Sequence, residues 1–156
     1  MQSPTNTPNP AGTAARRMTV YAITLVVLGL IGFGLAWGEA AAVAQAEAGD
    51  GKSSAPSLTP LIFTIGPALL MLAMAWMSRM IDRSKVLGMI GIHLGMLLPA
   101  VFGVAYAIVG WGRFTGWQAG EKPFANVLLF LAMILASLLA TIGILKARPS
   151  KDARGV

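Results

Sequence analysis

The 156-residue chain contains no cysteine. That excludes disulfides, thiolate metal sites and thiol nucleophiles. Charge is also scarce, with Asp, Glu, Lys and Arg making up 12% of the residues. A soluble domain carries about 25%, so a water-facing surface of useful size cannot be built here. There is a single histidine, His93, which rules out paired-histidine haem ligation within one chain. No carboxylate falls inside a long apolar run, so the histidine has no intramembrane acid to relay a proton to. Gly-rich phosphate loops, paired acids and nucleophile–base constellations are missing too. The chain therefore reads as a non-enzyme that carries no cofactor.

What the chain does have is apolar length. Hydrophobic residues make up 56% of it, and four runs carry no charge: 18–37, 60–78, 86–111 and 124–145. A helix needs about 20 residues to cross roughly 30 Å of hydrocarbon. The expected fold is all-α: an integral membrane bundle of four transmembrane helices, occupying residues 18–146. Residues 1–17, rich in Pro, Asn, Ser and Thr up to Arg16 and Arg17, read as a disordered tail. Residues 147–156 read as a basic tail.

The first run competes with a secretory-signal reading, because two arginines precede it and small residues follow at 40–48. Signal cores are about 7–15 residues; this run is longer, and Gly29, Gly32 and Ala36 give it a face suited to packing against other helices. Retention as a true span is the preferred reading, with cleavage within residues 1–46 as the alternative. The alanine-rich start of the 38–59 connection extends the first helix, and GDGKSSAPSLT is loop chemistry. Thr59 before Pro60 predicts a capped helix start. Pro67 removes a backbone donor, so the freed carbonyl must find a partner within the bundle. The short RMIDRSK connection predicts an antiparallel hairpin, with Ser84 capping the third helix. That helix is expected to end at Gly110–Trp111, with a loop from there to Pro123.

The net charge of +6 sorts by topology. Nine basic residues fall in the N-terminal segment, the 79–85 loop and the tail; Lys52, Arg113 and Lys122 fall in the other two connections. Basic residues beside spans favour the cytoplasm, so both termini and the 79–85 loop are expected inside, in the cell inner (cytoplasmic) membrane. Trp37, Trp111 and Trp117 then mark the outer interface, and Tyr21 and Trp76 the inner one. The expected partners are the lipid bilayer and other membrane protein subunits. No nucleic acid is expected, because no basic patch has a folded soluble platform.

Residues 86–110 hold the most unusual features. His93 lies about 10 Å into its run at 1.5 Å per residue. Ionisable groups at that depth invite functional readings: a proton relay, a haem ligand or a metal ligand. The ordinary role is a neutral imidazole bonded to a nearby carbonyl or hydroxyl, and it is preferred. Met71 and Met74, with Met89 and Met96 near His93, could form a soft Cu(I) site. The series Met71, Met74, Met77 and Met80 drifts about 60° per step around a helix, however, so it shares no face. Methionine as core filler is the better account. Gly91, Gly95, Gly103 and Ala107, with Pro99 between, form a small-residue row, and Ala132, Ala136 and Ala140, then Gly143, form another. Such rows let helices approach closely in lipid and predict packing faces inside one bundle. Pro67 and Pro99 read as kinks.

The segments VYAITLVVLGLIGFG at 20–34 and PSLTPLIFTIGPALLMLAMAW at 56–76, then a basic loop and two more spans, resemble small four-span bacterial membrane proteins of uncharacterised function. They are also faintly similar to the glycine-rich TMEM14 type. The likeness covers most of 18–146, implies the four-helix fold and carries no site residues. The 38–59 loop is longer than that pattern implies. The expected function is structural or accessory to a membrane complex. The alternatives are a small carrier or channel for a proton, metal ion or apolar solute, and a haem or quinone subunit.

Overall fold

The computed structural model describes residues 10–46 and 58–147. The described residues form four long helices: α1 (Pro10–Ala46), α2 (Thr59–Arg79), α3 (Lys85–Gln118) and α4 (Phe124–Lys146). A single 3₁₀ turn, Met80–Asp82, links α2 to α3. All four helices are long and apolar enough to cross a membrane. Each packs on two neighbours in a closed ring, α1–α2–α3–α4–α1, and α1 and α3 meet only slightly across the diagonal.

Contacts along the seams show that neighbours run in opposite directions. Gly29 lies on Thr64 and Gly32 on Pro60, so α1 and α2 are antiparallel. Gly91 lies on Ser78 and Gly88 on Ile81; Gly103 lies on Ser137 and Gly110 on Phe130. Asn126 Nδ2 donates to Glu39 Oε1 at 3.2 Å, tying the start of α4 to the far part of α1. Arg16, Arg17, Arg79, Arg83, Lys85 and Lys146 therefore gather at one end of the bundle. Glu39, Arg113, Glu121 and Lys122 occupy the other.

The bundle is apolar on the outside and small inside. Val20, Ile23, Leu30, Ile62, Leu69, Val104, Ile108, Leu131 and Leu139 are all largely exposed. Along α1 one buried line runs Ala11, Ala15, Met18, Ala22, Leu25, Gly29 and Gly32, spaced alternately by four and three, with buried Ala14 and Tyr21 beside it. In α2, Thr64, Ala68, Met71, Ala75 and Ser78 repeat the alternation. A 3.5-residue average is the repeat that lets two helices wind around each other left-handedly and keep one seam in contact.

Three expected boundaries are corrected. Residues 10–17, expected as tail, belong to α1: Ala11, Ala14 and Ala15 are buried, and alanine has the highest helix propensity. Residues 112–118, expected as loop, continue α3. Trp111, Phe114 and Trp117 stack at three-residue spacing, 5.7 and 5.8 Å apart, and Trp117 meets Phe124 of α4 at 5.0 Å. The helix stops only where Gly120 takes φ 75°. There Gly120 N donates to Trp117 O and Glu121 N to Gly116 O, the Schellman arrangement that needs a left-handed residue. Thr59 is not the cap of α2; the first turn begins one residue earlier, with Ile62 N donating to Leu58 O. The other end expectations hold: α1 runs on to Ala46, and Ser84 Oγ accepts from Leu87 N at 3.5 Å. The expectations for residues 1–9, 47–57 and 148–156, including the 47–57 loop and most of the basic tail, lie outside the described residues.

Candidate functional site

The kink residue comes first. Pro67 has no N–H, so the carbonyl of Phe63, four residues back, lacks its helical partner. Tyr106 of α3 supplies the replacement: its hydroxyl donates to Phe63 O at 3.0 Å, and the ring is buried. A second buried tyrosine joins α1 to α4. Tyr21 Oη and Ser137 Oγ are 2.7 Å apart, and Ser137 Oγ lies 2.8 Å from Met133 O. The serine has one proton and spends it on the carbonyl, so the tyrosine is the donor to Ser137. Thr64 and Ser78 likewise donate to Pro60 O and Met74 O on their own helix. No buried side-chain nitrogen or oxygen is left without a partner among the described residues. The polar interior is thus a set of closed hydrogen bonds, of which those of Tyr21 and Tyr106 link helices.

Tyr21, expected at the inner interface, sits in the core, 3% exposed. Its place follows from the packing stripe of α1, one turn past Met18. Trp76, Trp37, Trp111 and Trp117 are all exposed near the ends of the bundle.

The residues that could hold a metal divide between the surface and the core. His93 faces outward from α3, and its Nδ1–H donates to Met89 O at 2.8 Å on the same helix. Met89 is itself 54% exposed. Met71 is fully buried and Met96 nearly so, while Met74 packs against the core from α2. Among the described residues, no group of three His, Asp or Glu side chains could hold a metal ion.

The small-residue rows do bring helices together, with one change. Gly91 meets the backbone of Ser78 and Met74 in α2, Gly95 meets Met18 in α1, and Gly103 meets Ser137 in α4. Ala107, however, is exposed, and the buried stripe passes through Tyr106 to Gly110. Steps of four drift about 40° each on a helix of 3.6 residues per turn, so a step of three must intervene. On α4, Ala132, Ala136 and Ala140 are half-buried and flank the stripe; Met133 and Ser137 fill it.

A groove of about 550 Å³ opens between α1 and α4. Arg16, Arg17 and Thr13 stand at its basic end, and Val20, Leu139 and Ala140 are among its walls. Arg17 Nη1 donates to the carbonyl of Gly143 across the mouth.

Comparison of the chain with protein-family models, curated proteins and solved structures gives no match. The geometry alone therefore bears on function.

Sequence reasoning missed Tyr106 and Ser137. For Ser137 the signal was present, since it lies seven residues before buried Ile144 and four after Met133. For Tyr106 only the unsatisfied carbonyl at Pro67 pointed to a donor, with nothing to say which helix held it.

Proposed function

We propose that the chain is a multi-pass protein of the cytoplasmic membrane, with both termini and the Met80–Ser84 turn inside. In this reading it is a structural or accessory subunit of a larger membrane complex and not an enzyme. We place it with the small four-span bacterial membrane proteins that its sequence resembles. The observation that carries the reading is the outward direction of His93. Its Nδ1 proton is spent on Met89 O, so in the neutral ring Nε2 is an acceptor turned away from the bundle. An acceptor facing hydrocarbon is costly unless a donor covers it. A second membrane protein laid along α3 supplies that donor.

The test places a photoreactive amino acid at position 93, and at Leu131 on α4 as a control, in cells. A discrete adduct with another membrane protein from position 93 supports the reading, as does the same protein co-purifying in mild detergent. Adducts with lipid alone, or only with copies of this chain, overturn it.

The carrier or channel alternative took its motivation from His93 and the two kinked helices. The imidazole faces outward, and the Ser78 and Ser137 protons are spent on carbonyls, so these groups lend that alternative no support. Solute flux in proteoliposomes that is lost in His93→Ala would reinstate that alternative and displace the accessory role.

A further inference from the structure

We propose that the groove between α1 and α4 holds one acyl chain of an anionic phospholipid, its phosphate clamped by Arg16 and Arg17. The inference rests on the membrane reading above and goes beyond it by naming a ligand.

Three observations meet in this seam. The first is length. Below the arginines the groove runs from Arg17 to Thr24 on α1 and from Gly143 to Ala136 on α4, about 10 Å at 1.5 Å per residue. Half of a roughly 30 Å hydrocarbon core is about 15 Å, so the groove takes the upper part of an acyl chain and leaves its end in the leaflet. The second is the wall. Opposite α1 stand Ala136, Ala140 and Gly143, too small to reach across, and Leu139, which is largely exposed. The α1–α4 seam joins the first and last helices and is the least closely packed of the four around the ring.

The third is charge at the mouth. Arg17 reaches over Gly143 to its carbonyl, and its Nη1 would stand 2.9 Å from a Cβ built on Gly143, so the guanidinium lies directly on the helix surface there. That bond fixes the guanidinium above the groove and leaves its other N–H groups to face outward. Arg16 is exposed beside it, and Lys146 is one turn beyond Gly143. Among the described residues the acids are Glu39 and Glu121, at the opposite end, and Asp82, in the α2–α3 turn. The mouth therefore needs an anion, and arginine matches phosphate oxygens bidentately. A zwitterionic lipid brings its own cation to the same place. A partner helix would fill the walls and leave the arginines unpaired.

The test uses the full chain reconstituted in vesicles of equal phosphatidylglycerol and phosphatidylcholine, extracted in mild detergent, with retained lipid read by native mass spectrometry. The wild type should keep one phosphatidylglycerol in preference to phosphatidylcholine. R16Q/R17Q should lower that preference by on the order of thirtyfold, from the contribution of each basic residue near a membrane surface. R79Q/R83Q, at the same end but on the other side of the bundle, should leave it within about twofold. Ala140→Phe fills the groove without changing charge and should abolish retention, with helical content checked by circular dichroism. Equal retention of both lipids overturns the inference, as does full retention in Ala140→Phe or an equal fall in both arginine pairs. A wild-type chain that stays in water sinks the membrane reading instead. One that inserts but shows no lipid preference sinks the groove alone.

Discussion

At the scale of single residues, the main device is a proline whose cost is met from another helix. Pro67 strips Phe63 O of its donor, and Tyr106 restores one from α3. A hydrogen bond between membrane helices contributes about 0.6 kcal/mol on average, with a maximum near 1.7. Tyr106→Phe should therefore destabilise the bundle by about 1 kcal/mol in a detergent unfolding titration. The cause can be separated from lost packing by a double-mutant cycle. Pro67→Ala returns an N–H to Phe63 O, so in that background Tyr106→Phe should cost nearly nothing. An equal cost in both backgrounds would mean that the hydroxyl does not serve the kink. The need for a donor was legible in the sequence because it follows from the chemistry of proline. The identity of the donor was not, because it depends on which residue of α3 comes level with Phe63, 43 positions away in the chain. His93 shows the same divide. Its bond to a carbonyl was foreseeable, while its outward direction depended on where the packing stripe of α3 fell.

At the scale of helices, small residues decide how closely neighbours approach, and the glycines are not equivalent. A Cβ at Gly91 would meet Ser78 N at 2.7 Å and Met74 O at 2.9 Å. These are backbone atoms, so α2 and α3 would have to separate. Gly91→Ala should cost about 1–3 kcal/mol, the range for overpacking a filled core. Gly34 and Gly66 have nothing within 4 Å of a built Cβ. Gly34→Ala and Gly66→Ala should be neutral or stabilising by up to about 1 kcal/mol, because glycine is the poorer helix former. Unfolding midpoints for the three variants check the contrast; a similar loss at Gly34 and Gly91 would contradict the packing described. The glycine row itself was visible in the sequence. Its continuation was misjudged at Ala107, since a fixed step of four leaves the face after a few turns. The end of α3 was misjudged for a related reason. Gly112 and Gly116 look like loop residues, yet the stacked Trp111, Phe114 and Trp117 around them carry the helix a further two turns. Gly120, the glycine that does stop the helix, is followed by Lys122–Pro123, a terminator that was readable.

At the scale of the whole molecule, charge and direction become one argument. Antiparallel neighbours put the start of α1, the α2–α3 turn and the end of α4 at the same end, and six basic side chains gather there. That convergence is independent of the rule relating basic residues to the cytoplasm; it arises from helix packing alone. The rule then assigns the side. The absence of cysteine makes the assignment simple to test, since any introduced thiol is the sole target of a membrane-impermeant reagent. Asp82→Cys, in the exposed turn between α2 and α3, should be labelled only after the cells are opened. Glu121→Cys, in the exposed connection between α3 and α4, should be labelled in intact cells. The two sites lie at opposite ends of α3, about 50 Å apart along a helix of this length, so one reagent cannot reach both from one side. The reverse pattern would turn the molecule over and move the Arg16–Arg17 groove to the outer leaflet. Labelling of both sites in intact cells would mean that α3 does not cross the bilayer at all.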